Sequence, residues 1–250
     1  MTREHKLEEA LVYHKKAMKV RVGIEDTLGR ASSLGNIAQI NLTKGKVEEA
    51  KKMYLLSLEL RESLGDKWGI AGSQLCLSRV EIRTGNYRES ARYLSESVEG
   101  FREVGDELGF AEVLDVLCNL LFELKLEEDY CVVCGMEKSQ RDKIGAPLAP
   151  ETDKARKKMN KQVMQGEKEK IAKKLRKEGK EMEESKSFET VSKLLANLKE
   201  GRVHSIFGLD KKEEKKDKKE KKKKKKDSKS PEKKDKEEKN KTKEDRKDEK

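Results

Sequence analysis

The segment Leu64–Ala71 reads LGDKWGIA, and the chain repeats its pattern at two other places. Ile24–Ala31 reads IEDTLGRA forty residues earlier, and Val104–Ala111 reads VGDELGFA forty residues later. Three copies of Asp-x-x-Gly-x-Ala in one register indicate an internal repeat. Because a period of about 20 to 50 residues is typical of repeat architectures, the pattern predicts an array of small structural units.

The residues between these copies follow helical periodicity. In segment 31–44, apolar and small residues recur at the i, i+3, i+4 and i+7 positions that share one face of a helix. Each Asp of the repeated pattern precedes such a run and predicts an N-cap. Gly45 and Gly85 predict the turns between helices. Each unit is therefore predicted to be a helix–turn–helix, and small residues recur where its two helices approach each other: Ala38, Ser78 and Cys118.

The stretches ASSLGNIA (31–38), AEVLDVLC (111–118) and GKVEEA (45–50) resemble the tetratricopeptide repeat (TPR) family. The period of forty residues is similar to the longer repeats of kinesin-light-chain-like and Leu-Gly-Asn-repeat proteins. This resemblance covers about residues 4–140. It implies an all-α fold, a short TPR-like α-solenoid of about three helix pairs preceded by an N-terminal helix.

Two features depart from the family pattern. The segment Glu4–Arg21 matches a second helix with no first helix before it, so we expect either a longer array upstream or a capping helix. In the third unit, Lys125 replaces the turn glycine and Tyr130 replaces a small residue. Degenerate terminal units are common in repeat arrays, so the third pair is expected to close this one.

Beyond the repeats, the composition changes in steps. The predicted segments are a repeat domain at 1–142, a Pro-containing linker at 143–153, a charged helix at 154–184, a short amphipathic helix with a linear motif at 185–209, and a disordered Lys/Glu-rich tail at 210–250. The charged helix has only a thin apolar stripe, which favours a solvated single helix over a coiled coil. The amphipathic helix has one apolar face, so we expect it to dock on its own solenoid or on a partner.

The tail carries most of the net charge. Residues 211–250 hold 22 basic and 13 acidic residues, against 38 and 36 in the first 210. Pro231 is the only apolar residue there, so the tail cannot bury a core. The basic run Lys221–Lys226 predicts a weak contact with nucleic acid or an import receptor, which the interspersed acids oppose. A tail that only increases solubility is an alternative of at least equal weight.

The sequence offers little catalytic chemistry. Cys131 and Cys134 form a CxxC pair that could hold zinc or a redox disulfide, but no second pair has matching spacing. Packing of a last helix is the favoured interpretation for both. No Gly-rich phosphate loop, zinc-protease motif or nucleophile elbow is present, so we expect no enzyme activity, no cofactor and no metal.

The TPR resemblance implies that the first helices line a groove that holds a peptide or a partner helix. By register, the groove residues are Gln39, Arg79, Arg83, Asn119 and Phe122. Arg79 and Arg83 lie one helical turn apart, so both guanidiniums could bind one carboxylate-bearing ligand. Alternatively, the two arginines form a solvated face or pair with Glu81 and Glu112.

These observations predict a non-catalytic adaptor or scaffold protein, with a nucleic-acid- or ribosome-associated protein acting through its basic tail as the alternative. No window approaches 18 uninterrupted apolar residues, so no membrane span is expected. The charged start MTREHKLEEA shows no secretory signal. Cysteines in such a chain indicate a reducing compartment, which is the cytoplasm or the nucleus.

Overall fold

Three helix pairs repeat along the chain in the predicted register. The computed structural model describes residues 3–163, 168–203 and 205, and within them the chain forms ten α-helices and no strand. Their bounds are α1 Arg3–Gly23, α2 Thr27–Thr43, α3 Val47–Leu64, α4 Lys67–Thr84, α5 Tyr87–Glu103, α6 Glu107–Glu123, α7 Glu127–Ile144, α8 Pro150–Val163, α9 Lys168–Lys180 and α10 Glu184–Lys199. The all-α repeat fold is therefore confirmed, whereas the tail, with Lys221–Lys226, lies outside the described residues.

The pairs are α2 with α3, α4 with α5, and α6 with α7, and α1 packs against α2. Each second helix also contacts the first helix of the next pair, and α4 contacts α6 directly. The described residues belong to one compact unit that spans Met1–Ser205. Helices α8 to α10 are therefore part of the same unit as the repeats, although the sequence suggested separate segments.

The repeated Asp-x-x-Gly forms the junction that begins each first helix. The carboxylates of Asp26, Asp66 and Asp106 accept hydrogen bonds from the amides of Gly29, Gly69 and Gly109, with N–O distances of 2.8, 3.0 and 2.9 Å. A Cβ at Gly29 or Gly69 would overlap the capping carboxylate. The aspartate thus satisfies a free amide of the first turn, and the glycine leaves room for it.

The repeated alanine lets the second helix approach the first. Ala31 and Ala71 are fully buried. Ser57 Oγ donates to the carbonyl of Ala31, and Ser97 Oγ donates to the carbonyl of Ala71, both at 2.9 Å. A Cβ on Gly100 of α5 would lie only 2.8 Å from the Cβ of Ala71, so the two helices leave no room for a larger side chain at this alanine.

The column Ala38, Ser78 and Cys118 is fully buried, as the sequence predicted. Ala38 packs with Ala50 and Tyr54 of α3 in one apolar cluster. Ser78 Oγ lies 2.8 Å from Ser90 Oγ of α5.

We expect Ala38→Leu to lower the free energy of unfolding by about 1–3 kcal/mol, because the added atoms would enter a close-packed contact. Lys51 looks like an exposed control in the sequence, but its ammonium lies 2.7 Å from the carboxylate of buried Glu81. Lys52 is exposed, so Lys52→Leu is the control and should change stability by less than about 0.5 kcal/mol. Urea unfolding of both variants tests the register, and equal midpoints would contradict it.

The third pair departs from the pattern as the sequence indicated. Lys125 adopts the left-handed conformation, with φ of 59°, that glycine takes at the earlier turns. Tyr130 is fully buried, and its hydroxyl donates to Asn160 Oδ1 of α8 at 2.8 Å. The large residue therefore connects the last pair to the helix that follows it.

The prediction of a solvated single helix at 154–184 is wrong. This range contains α9 and most of α8, and α9 packs closely on α7. At the contact, a Cβ on Gly179 would overlap the carbonyl oxygen of Val132, and a Cβ on Gly135 would overlap that of Arg176. The two glycines therefore bring the helix backbones together, and Ala172 and Leu175 of α9 are buried.

Helix α10 packs along α5 of the same chain. Docking on its own solenoid was one of the two alternatives predicted from the sequence. Its buried face consists of Val191, Leu194, Leu195 and Leu198. The ring of Phe188 stacks on Phe110 with centroids 4.0 Å apart, and Arg88 Nε donates to the carbonyl of Lys199 at 2.6 Å. Helix α5 is a second helix, and among the described residues α10 makes no extensive contact with α2 or α4.

Candidate functional site

The five predicted groove residues all lie on first helices. Gln39 is on α2, Arg79 and Arg83 are on α4, and Asn119 and Phe122 are on α6, and each is exposed or half-buried. We call the surface that contains these five residues and Glu112 the first-helix face. Contacts between side chains divide it into two parts, of which the first is centred on Arg79 and the second on Phe122.

The first part of the face is organised by a tyrosine from a second helix. Tyr54 of α3 is buried, and its hydroxyl donates to Gln39 Oε1 at 2.9 Å. Burial raises the pKa of Tyr54 far above its ordinary value, so the phenol keeps its proton and acts as a donor. This bond fixes the orientation of the Gln39 amide.

Arg79 and Arg83 have separate partners. Arg79 Nη2 lies 3.5 Å from Glu112 Oε2 of α6, and the two side chains are 33% and 44% exposed. Arg83 Nη1 donates to the carbonyl of Leu42, at the end of α2, at 2.8 Å. The alternative pairing of Arg79 with Glu112 is thus present, whereas Glu81 binds Lys51 rather than Arg83.

Cys76 is the half-buried thiol beside Arg79 and Tyr54. Burial raises its pKa, although the charge of Arg79 and a hydrogen bond with Tyr54 act in the opposite direction. The thiol therefore stays neutral at neutral pH and contributes packing to the first part of the face.

The second part of the face lies near α8. The ring of Phe122 is tilted by 56° against Tyr130, with centroids 5.9 Å apart, and the two rings line a cavity of about 360 Å³. Asn119 is half-buried one helical turn before Phe122. The structure shows no bond that links this part to Arg79 among the described residues.

Helix α8 covers part of α6. Arg156 Nη2 donates to Asp115 Oδ1 at 2.5 Å and to the Asp115 carbonyl at 3.1 Å. Asp115 occupies the register position of Gly35 and Leu75 in the earlier pairs. Among the described residues, α2 and α4 therefore make the part of the first-helix face that α8 does not contact extensively, with Glu112 at its border.

The CxxC cysteines do not form a pair with each other in the described structure. Cys134 Sγ lies 3.3 Å from Cys118 Sγ of α6, and Arg156 Nη1 lies 3.4 Å from Cys134 Sγ. Cys118, Cys131 and Cys134 are all buried, in agreement with the packing interpretation. Within the described part of the chain, no group of three His, Cys, Asp or Glu side chains is arranged to hold a metal ion.

The sequence did not indicate that Tyr54 and Cys76 support the first part of the first-helix face. Tyr54 belongs to a second helix, whereas the sequence assigned the groove to first helices. A usable signal was present, because a tyrosine that is buried in a helix pair needs a partner for its hydroxyl. The nearest polar residues of the facing helix were then the candidates.

None of the helices in the described ranges combines the length and the apolar content that a membrane span requires. Comparisons with family models, with curated proteins and with solved structures found no match to this chain. The resemblance to TPR proteins therefore stays a prediction that rests on the sequence pattern.

Proposed function

We propose that this chain is a non-catalytic adaptor of the TPR type, which binds a carboxylate-bearing peptide or helix on the open surface of α2 and α4. The observation that carries the proposal is that Arg79 is partly exposed and only weakly paired. Its side chain is a third exposed and its guanidinium is held beside Glu112 at a long distance of 3.5 Å, on a helix that α10 does not contact extensively among the described residues. A ligand carboxylate can reach it there.

A ligand carboxylate can replace Glu112 as the partner of Arg79 at a small cost in free energy. Ion pairs between exposed side chains contribute about 0 to 1 kcal/mol, since water competes for both groups. A ligand carboxylate that meets the planar guanidinium with two hydrogen bonds makes a stronger contact than one bond at 3.5 Å. Glu112 thus acts as a weak internal competitor for the ligand.

Arg83 is oriented for the same task. One of its N–H groups donates to the Leu42 carbonyl, which holds the side chain against the end of α2. A guanidinium has five N–H donors, so further donors can contact a ligand. The two arginines lie four residues apart on α4 and present positive charge along one helical turn.

Gln39 supplies a neutral contact for the backbone of the ligand. Its Oε1 accepts the Tyr54 hydroxyl, so its amide N–H₂ is directed away from Tyr54. An amide donor on the same first-helix face as two arginines can bind a peptide carbonyl next to an acidic side chain. Shape and hydrogen bonding then add selectivity to a contact that charge alone would leave unselective.

The proposal is tested by selecting a random peptide display library on the immobilised full chain. We expect enriched peptides to contain Asp, Glu or a free C-terminal carboxylate. Synthetic copies should bind the Arg79→Glu/Arg83→Glu variant at least about a hundredfold more weakly, because repulsion replaces attraction. Fluorescence anisotropy with the labelled peptide measures the affinity.

The matched control is Lys19→Glu/Lys52→Glu, which changes the net charge equally at exposed positions of α1 and α3. This variant should bind as the parent chain does. A chain that lacks residues 211–250 should also keep its affinity. Equal binding by the arginine variant, or loss of binding on removal of the tail with a steep dependence on salt, would replace the proposal by the charge-driven alternative.

A further inference from the structure

Two thiols from different helices meet in the third helix pair. Cys118 of α6 and Cys134 of α7 are buried, and their sulfur atoms lie 3.3 Å apart. Thiols at this separation need only a small movement to reach the length of a disulfide bond, which is about 2.05 Å. The sequence did not indicate this pair, because the CxxC spacing suggested Cys131 as the partner of Cys134.

The buried cation Arg156 lies beside one of these thiols. Its Nη1 is 3.4 Å from Cys134 Sγ, while its Nη2 binds Asp115. Burial alone would raise the pKa of Cys134, but the hydrogen bond from Cys118 and the charge of Arg156 lower it below the ordinary value. Burial raises the pKa of Cys118, which therefore stays protonated and donates to Cys134.

We propose that Cys118 and Cys134 form a peroxide-sensitive dithiol, which a hydroperoxide converts to a disulfide between α6 and α7. The Cys134 thiolate attacks one oxygen of the hydroperoxide, the O–O bond breaks, and Cys134 becomes a sulfenic acid. With hydrogen peroxide, the other oxygen leaves as hydroxide and becomes water by taking up the proton that Cys134 lost when it ionised. The sulfur of Cys118 then attacks Cys134 and displaces hydroxide, which takes the Cys118 proton and leaves as water. The two sulfurs lose two electrons in total, and hydrogen peroxide becomes two molecules of water.

The surroundings of Cys134 determine which oxidant reaches it and which thiol forms the disulfide with it. Cys134 is 5% exposed, so a molecule close in size to water reaches it more readily than a bulky disulfide does. Cys131 lines a separate cavity with Leu126, Ala172 and Leu175, and burial raises its pKa to about 11. Cys131 is therefore a poor nucleophile at neutral pH.

The test treats the reduced full chain with hydrogen peroxide and then alkylates the remaining thiols. The chain has four cysteines, and we expect two to be lost, with one disulfide-linked peptide that joins Cys118 to Cys134. Dithiothreitol should restore all four thiols. Glutathione disulfide at the same concentration should oxidise the pair at least about tenfold more slowly.

Three variants separate this pair from the other cysteines. Cys76→Ser and Cys131→Ser should form the disulfide at the rate of the parent chain. Cys118→Ser should instead accumulate a sulfenic acid at Cys134, which dimedone traps. Either of two results would overturn the proposal. The first is a disulfide between Cys131 and Cys134. The second is oxidation of Cys76 while Cys118 can still be alkylated.

Discussion

Arg156→Met is expected to lower the free energy of unfolding by about 3 kcal/mol or more, because it leaves a carboxylate buried without its cation. The side chains of Arg156 and Asp115 are 6% and 12% exposed. The arginine also contacts the buried Cys134 sulfur and the Asp115 carbonyl. Removing it therefore takes one partner away from three buried groups at once: the Asp115 carboxylate, the Asp115 carbonyl and the Cys134 sulfur.

Lys157→Met is the matched control on the same helix. Lys157 pairs with Asp153 at 2.6 Å, but its side chain is 71% exposed, so the loss should stay below about 0.5 kcal/mol. Urea unfolding followed by circular dichroism measures both variants. Equal midpoints for the two would mean that α8 is not anchored through Arg156.

Gly179→Ala should destabilise the chain by about 2–3 kcal/mol, since a single methyl group cannot be placed between α9 and α7 without moving them apart. The added Cβ would lie 2.8 Å from the carbonyl carbon of Val132, a rigid backbone atom. The effect should be local. Amide hydrogen exchange should accelerate in α9 and in the facing part of α7 before the earlier helix pairs respond.

Gly72→Ala makes the same substitution in the middle of α4, where a Cβ meets no atom within 4 Å. Alanine is a better helix former than glycine, so this variant should be stabilised by up to about 1 kcal/mol. The two identical substitutions thus have opposite expected signs. A stabilised Gly179→Ala would show that α9 does not lie against α7.

The repeat was predictable because its residues act locally or at fixed separations. Asp66 caps the helix that begins one residue later, and Gly69 leaves room for its carboxylate. Ala71 accepts the Ser97 hydroxyl across one helix pair. Such roles recur every forty residues, so the sequence alone indicated them.

Docking of the later helices was not predictable in the same way. The contact of α9 with α7 depends on Gly135 and Gly179, which are far apart in sequence and have no periodic counterpart. A highly charged segment indicated solvation, since composition cannot show that one arginine, Arg156, finds a buried aspartate on another element. The amphipathic face of α10 did indicate docking, but it did not indicate that α5 would be the surface.

The candidate site was predicted in part. The helical register placed Gln39, Arg79 and Arg83 on first helices, and Glu112 was one of the named alternatives for pairing. The Leu42 carbonyl that holds Arg83 could not be foreseen, because a backbone acceptor leaves no mark in the sequence. The sequence did not indicate the thiol pair, because the contact at this register position changes from one helix pair to the next. In the second pair, Ser78 Oγ contacts Ser90 Oγ. In the third pair, Tyr130 occupies the position of Ser90 and contacts α8, so Cys118 contacts Cys134 instead.

We propose that Arg79 binds a ligand carboxylate in competition with Glu112. The most direct measurement is the dissociation constant of one library-selected acidic peptide for the parent chain, for Glu112→Gln and for Arg79→Gln. Glu112→Gln removes the internal competitor and should tighten binding by about threefold to tenfold, while Arg79→Gln should weaken it by about tenfold or more. Unchanged affinity in both variants, or weaker binding by Glu112→Gln, would contradict the claim.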